Sequence, residues 1–187
     1  MLCTHPLCPP AGGVLFAALA LAGPAAGQPA GCAGQPGCIE VPSFVATVTG
    51  FRPMAQGGAR SVALTLQFRN KSPRPLVVGY LENSGMATDD RGNRYTIAPG
   101  EVVGIGGVSN NSFDPRFVLQ PGAAGEVSLH FVSAGSGGPA GTSWNIEIGI
   151  REIDRLSEKQ YRLGKSHLLQ FRGYRVGSPP APPGIDN

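Results

Sequence analysis

The sequence predicts an all-β protein, an antiparallel β-sandwich of two sheets and about seven strands. Two observations carry this prediction. Residues 61–95, 121–131 and 144–150 combine strands, in which apolar side chains recur at every second position, with turns rich in glycine, proline or aspartate. No segment after residue 27 shows the spacing of about 3.6 residues that is typical of an amphipathic helix, and residues 154–160 suffice for one helical turn at most.

Residues 44–81 are predicted to contain three strands. Residues 44–51 are the first candidate, and residues 76–81, which are more continuously apolar, are the third. Between them, prolines in residues 70–75 end the second strand, because proline cannot donate to a ladder. In that second strand, alternation places four apolar side chains on one face: Val62, Leu64, Leu66 and Phe68.

Further strands of the same kind are predicted in residues 127–171. Residues 127–131 alternate after the turn at Pro121 and Gly122, and residues 161–171 form the last candidate. The clearest alternation puts four large residues on one inward face: Trp144, Ile146, Ile148 and Ile150. Burying these four side chains contributes about 6 to 12 kcal/mol before the conformational entropy of ordering the strand is subtracted. The strand is therefore stable only when it packs against a second sheet.

The N-terminal segment predicts export. Residues 1–27 lack Asp, Glu, Lys and Arg, and an apolar run at 14–22 is followed by small residues, as in a secretory signal peptide. That run is shorter than the roughly 20 residues that a membrane-spanning helix needs. We therefore expect a flexible leader at 28–39, a sandwich at 40–176 and a disordered proline-rich tail at 177–187, with no transmembrane segment once the signal is cleaved.

The mature chain keeps two cysteines, Cys32 and Cys38, in a loop rich in glycine. In an oxidising compartment they are expected to form a disulfide, worth about 2 kcal/mol in the chain-entropy model. A competing interpretation makes Cys32 the acylated first residue of a lipoprotein, but Pro29 stands where such signals carry an aliphatic residue. Free or intermolecular thiols are the third alternative.

Four motifs give the chain a resemblance to a known group of proteins. They are residues 64–72 (LTLQFRNKS), 90–95 (DRGNRY), 117–122 (FVLQPG) and 127–131 (VSLHF). The chain resembles the small secreted bacterial Ig-like domains of unknown function, from which it departs by glycine-rich inserts at 104–107 and 134–141. The resemblance implies an Ig-like sandwich and export, and it supplies no catalytic residues.

Two loops invite a ligand interpretation. Asp89, Asp90 and Asn93 offer oxygens to calcium, but their spacing is not that of an EF-hand and suits a tight turn. Residues 104–109 superficially resemble a phosphate cradle, yet the third glycine is missing and no helix follows. We interpret both as backbone turns, so no metal and no cofactor is expected.

Catalytic residues are equally hard to find. No Gly-x-Ser-x-Gly elbow is present, His130 is expected to face solvent, and His167 is ambiguous. Nothing in the sequence distinguishes three acids from ordinary surface residues: Asp114, Glu126 and Glu147. Trp144 is expected in the core, and the few histidines and methionines make a poor ligand set for copper.

The charge pattern bears on partners. The chain carries 15 Lys and Arg against 12 Asp and Glu, a net charge of +3, with a basic bias at 151–175 that suits an anionic lipid or polysaccharide or simply a solvated strand. No nucleic-acid motif is present. We expect a non-enzymatic exported module, periplasmic or secreted, that binds an envelope protein, lipid or glycan; the alternative is an envelope hydrolase whose site forms only in the fold.

Overall fold

The computed structural model describes residues 32, 35–56, 59–110, 112–133, 135, 139–157, 160–175 and 177. The predicted signal peptide, most of the leader and the tail beyond residue 177 lie outside these residues. The described part contains twelve strands and no helix: β1 Cys38–Glu40, β2 Phe44–Gln56, β3 Ala59–Asn70, β4 Leu76–Leu81, β5 Met86–Asp89, β6 Arg94–Val103, β7 Gly106–Ser109, β8 Ser112–Phe113, β9 Val118–Leu119, β10 Ala124–Ser133, β11 Ser143–Arg155 and β12 Tyr161–Arg175.

The strands form one continuous hydrogen-bonded sheet. Its order is β1-β2-β3-β10-β6-β5-β11-β4-β7-β8, with β12 beside β11 and β9 beside β4. The predicted arrangement of two antiparallel sheets with about seven strands is therefore wrong in strand number and in connection. Strands β6 and β5 join the two layers, and β4 pairs with β7 in parallel, so the sheet is mixed.

Burial alternates in β5 and β7, but three of their four buried residues are small or polar: Ala87, Asp89 and Gly106. These strands therefore escaped prediction from apolar alternation. Residues 104–109 were expected to form a bend, yet only Gly104 among them has the positive φ of such a bend (92°), while residues 106–109 form β7. A parallel pair needs a crossover of about a dozen residues or more, and β5 and β6 provide it between β4 and β7.

Where the apolar pattern is strong, the predictions are confirmed. Strand β3 buries every even-numbered residue from Val62 to Asn70, and β4 has the predicted bounds. In β11 the even-numbered residues 144–150 are at most 1% exposed, which confirms the inward register and the core position of Trp144.

One hydrophobic core lies between the two halves of the folded sheet. The ring centroid of Phe51 on β2 lies 5.4 Å from that of Trp144 on β11 and 5.2 Å from that of Tyr174 on β12. The same core cluster takes side chains from β3, β4 and β10. This packing makes the sheet a sandwich, because each half buries its apolar face against the other.

The cysteine pair stands at the entry to the sheet. Cys32 and Cys38 are joined in a disulfide with Cα atoms 5.3 Å apart, and Cys38 is the first residue of β1. The backbone N–H of Cys32 also donates to Glu40. Among the described residues no helix is long and apolar enough to cross a membrane.

Candidate functional site

Three polar side chains meet at one end of the sandwich, facing inward where the apolar core stops. Glu152 lies on β11 and His167 on β12, and their side chains are only 17% and 13% exposed. The Nε2 atom of His167 lies 2.8 Å from Glu152 Oε1, and the hydroxyl of Ser43, just before β2, donates to the same oxygen at 2.5 Å. The ring of Phe44 meets the His167 ring edge to face at 5.4 Å.

This cluster joins the two layers of the sandwich. Ser43 belongs to one layer, whereas Glu152 and His167 belong to the other, so the shared carboxylate oxygen links them. A nucleophilic serine needs a histidine as its base, with the carboxylate on the far side of the ring. Here Glu152 lies between the hydroxyl and the imidazole, which is not the order of such a triad.

His130 is the second histidine among the described residues. On β10 it lies on the face opposite the buried Leu129 and Phe131, as expected; its side chain is 33% exposed, and its Nδ1 lies 3.1 Å from Glu101 Oε2 on β6. Its Nε2 is buried and has no hydrogen-bond partner among the described residues. His130 and His167 lie on different strands, and each has its own carboxylate partner.

The polar turn at residues 89–93 is built around Asp89. Its carboxylate, 5% exposed, accepts five hydrogen bonds: from the N–H groups of Arg91, Asn93 and Gly141 at 2.9–3.0 Å, from Asn93 Nδ2 at 2.7 Å and from the Tyr95 hydroxyl at 3.2 Å. Burial alone would raise the pKa of this carboxyl, but the hydrogen bonds outweigh burial and hold its pKa below the ordinary value. Burial and the nearby charge of Asp89 raise the pKa of Tyr95 to about 12.

Asp90 also links the β5–β6 turn to the start of β11. Its carboxylate accepts from the N–H and the hydroxyl of Thr142, at 2.9 and 3.0 Å, and its own N–H donates to the carbonyl of Ser143. A Cβ on Gly141 would overlap Asp90 Oδ1 and lie 2.8 Å from Asp89 Cβ, so glycine lets the two segments approach this closely. The oxygens of Asp89 and Asp90 thus serve the backbone around β5 and β11, in agreement with the turn interpretation.

The three undistinguished acids lie on separate elements. Asp114, in the loop after β8, forms an ion pair with Arg116, whose hydrogen bonds lower the pKa of Asp114. Glu126 is exposed on β10, and Glu147 on β11 accepts from Gln170 at 2.8 Å. Within the described residues no group of three or more His, Cys, Asp or Glu side chains is arranged to hold a metal ion.

The most strongly charged element is β12. Its 15 residues contain four basic side chains and no acidic one, which leaves 11 basic against 12 acidic residues in the rest of the chain. Arg162 pairs with Asp154 at 2.9 Å. The other three lie exposed to solvent: Lys165, Arg172 and Arg175. The net positive charge of the protein therefore resides on this one strand.

A surface depression adjoins β12 on the outer face of the sheet. It is lined by residues of β11 and β12: Asn145, Ile146, Glu147, Gln170 and Arg172. Its polar groups are bound to one another, since Gln170 donates to Glu147 and accepts from Arg172 at 3.1 Å. The depression is part of the surface that carries the basic residues.

The described residues define an all-β protein whose mixed sheet folds into a sandwich. No protein-family model matches the chain, and no curated protein matches it significantly. One solved structure with some likeness is an uncharacterised β-sandwich protein from Clostridium difficile 630, at 8% identity and a TM-score of 0.32, covering 72% of this chain and 89% of that one.

Proposed function

We propose that the chain is an exported, non-enzymatic β-sandwich module that binds an anionic partner in the cell envelope through β12. The observation that carries this proposal is the concentration of charge on β12, which bears the whole net positive charge. Such a strip attracts anions over a distance of about one Debye length, roughly 8 to 10 Å. The likeness to secreted Ig-like domains, with the strand arrangement corrected above, belongs to the same proposal.

Export supports an envelope role. The predicted signal peptide and the Cys32–Cys38 disulfide both suit an oxidising compartment. The intact mass of the exported protein should correspond to a chain that begins near residue 27 or 28. A mass that begins at an acylated Cys32 would instead establish a lipid anchor, and a chain that retains residue 1 would contradict export.

The binding role is tested with charge variants. The double variant Lys165→Glu with Arg172→Glu reverses two exposed charges of β12, whereas Arg52→Glu with Arg94→Glu makes the same change on β2 and β6. We expect envelope extract to yield a partner with the wild type and the control but not with the β12 variant. Equal recovery by all three, or recovery of no protein, lipid or glycan, would contradict the proposal.

The alternative, an envelope hydrolase, would draw on Ser43, Glu152 and His167. Their convergence favours it over other catalytic assignments, but the position of Glu152 between the other two supports it less than a Ser–His contact would. Wild type and Ser43→Ala should be equally inactive on ester, amide and glycan substrates of the envelope. Turnover by the wild type that Ser43→Ala abolishes would establish the hydrolase.

A further inference from the structure

The outer edge of β12 offers an unpaired stretch of regular strand. Among the described residues β12 forms a ladder with β11 alone. Irregularities in that ladder lie between Trp144 and Ile146 and between Arg151 and Ile153, so the regular part of β12 runs from residue 166 to residue 171. An edge strand presents a row of free N–H and C=O groups that another extended chain can pair with.

The side chains along this edge define what would fit it. Leu168 is 57% exposed at its centre, because its ladder neighbour on β11 is Gly149, which has no side chain to cover it. Lys165 and Arg172 lie exposed just beyond the two ends of the regular stretch. A strand rises about 3.3 Å per residue, so the six residues 166–171 span about 20 Å. This edge therefore has an apolar centre at Leu168 and a basic residue beyond each end.

We propose that β12 binds an extended acidic segment of a partner protein, which adds to the sheet as a further strand along residues 166–171. Backbone hydrogen bonds supply the ladder, an apolar side chain of the partner covers Leu168, and Asp or Glu residues face Lys165 and Arg172. This inference rests on the proposed binding function and names its partner class. It selects a peptide over a lipid or a polysaccharide, because only a peptide satisfies both the ladder and the charges.

Two other occupants fit the edge less well. A second copy of this chain would bring four basic residues of one β12 against four of the other, which repel. The proline-rich segment 178–187 carries four prolines, which cannot donate ladder hydrogen bonds. The basic residues and the flanking irregularities thus guard the edge against self-association and leave it open to an acidic chain.

The test uses three synthetic peptides of about eight residues, a length that matches common strands. The first has paired glutamates at both ends and alternating threonine and valine between them. The second is identical except that alternate backbone amides are N-methylated, and the third carries lysine in place of glutamate. We expect the first to bind the full protein and to slow amide hydrogen exchange within residues 161–175, and the other two to bind at least about tenfold more weakly.

Charge variants complete the design. Lys165→Glu with Arg172→Glu should weaken binding of the acidic peptide about tenfold or more, while Arg52→Glu with Arg94→Glu, which carries the same net charge, should leave it unchanged. Equal binding of the N-methylated peptide, exchange protection outside β12, or stronger binding of anionic vesicles or heparin would overturn the inference. If the peptide test fails in one of these ways while envelope extract still yields a partner that depends on β12, only the inference of an added strand is refuted. The proposed function then stands.

Discussion

At the scale of single residues, Asp89 does the most to connect distant parts of the chain. Its carboxylate binds its own turn through Arg91 and Asn93, and reaches across 52 residues to the N–H of Gly141. A hydrogen bond to a charged group, taken singly, contributes a net of about 1.5–3 kcal/mol. A buried carboxylate with five donors therefore holds the β5–β6 turn against the start of β11.

Replacing Asp89 by asparagine should lower the free energy of unfolding by about 2–4 kcal/mol at neutral pH, because an amide cannot accept from all five donors. The folded-state pKa of Asp89 lies below its ordinary value, so its contribution is present above the ordinary carboxyl range of about 4 and is lost as pH falls through the folded pKa. Urea unfolding should show the gap between wild type and variant closing as the pH is lowered.

The control for this experiment is Asp114→Asn, which removes an exposed ion pair with Arg116. Exposed pairs contribute about 1 kcal/mol or less, so this variant should stay close to the wild type. A gap for Asp89→Asn that does not change with pH would contradict the role given to its charge.

At the scale of elements, β7 shows how close backbone approach makes a strand out of a glycine-rich segment. A Cβ on Gly106 would overlap the carbonyl oxygen of Asp114, which is backbone and cannot move aside. A Cβ on the adjacent Gly107 would meet only Glu82 Oε1 at 2.7 Å, the end of a flexible side chain. Neither glycine has a positive φ, so the two positions differ only in the room that they leave for a side chain.

We expect Gly106→Ala to cost about 2 kcal/mol or more in the free energy of unfolding, and Gly107→Ala less than about 1 kcal/mol. Chemical denaturation of the two variants beside the wild type measures the difference. Equal costs would mean that β7 does not pass Asp114 as closely as described, and would place the parallel β4–β7 pair in doubt.

At the scale of the whole molecule, stability depends on burying the inner faces of both layers in one core. Ile148 is fully buried at the centre of β11. Ile148→Asp should abolish cooperative folding, since an unpaired charge there has no partner and no water. Asn145→Asp, an exposed change on the same strand, keeps the oxygen that accepts from Gly173 and should fold normally. Circular dichroism and gel filtration distinguish the two, and a folded Ile148→Asp would refute the inward register.

Much of the sandwich could be predicted because buried strand positions carry apolar residues, and these are visible in the sequence. Alternation located β3, β10 and β11, a continuously apolar run located β4, and the spacing of Cys32 and Cys38 suited the disulfide. The candidate sites were less accessible. His167 stood out only as ambiguous, and nothing near Ser43 or Glu152 marks their contact, which spans 109 residues. The basic bias at 151–175 was visible, but its concentration on an unpaired edge was not.

The sequence by itself determined which residues face inward, because period-two alternation follows directly from strand geometry. It also determined the polar turn at 89–93 and the basic character of β12. Only the tertiary structure decided that β6 and β5 join the layers into one sheet, that β7 runs parallel to β4, and that Ser43 and His167 both contact Glu152. Short strands whose buried positions are small or polar leave no apolar pattern in the sequence, and contacts between distant segments arise only when the whole core closes.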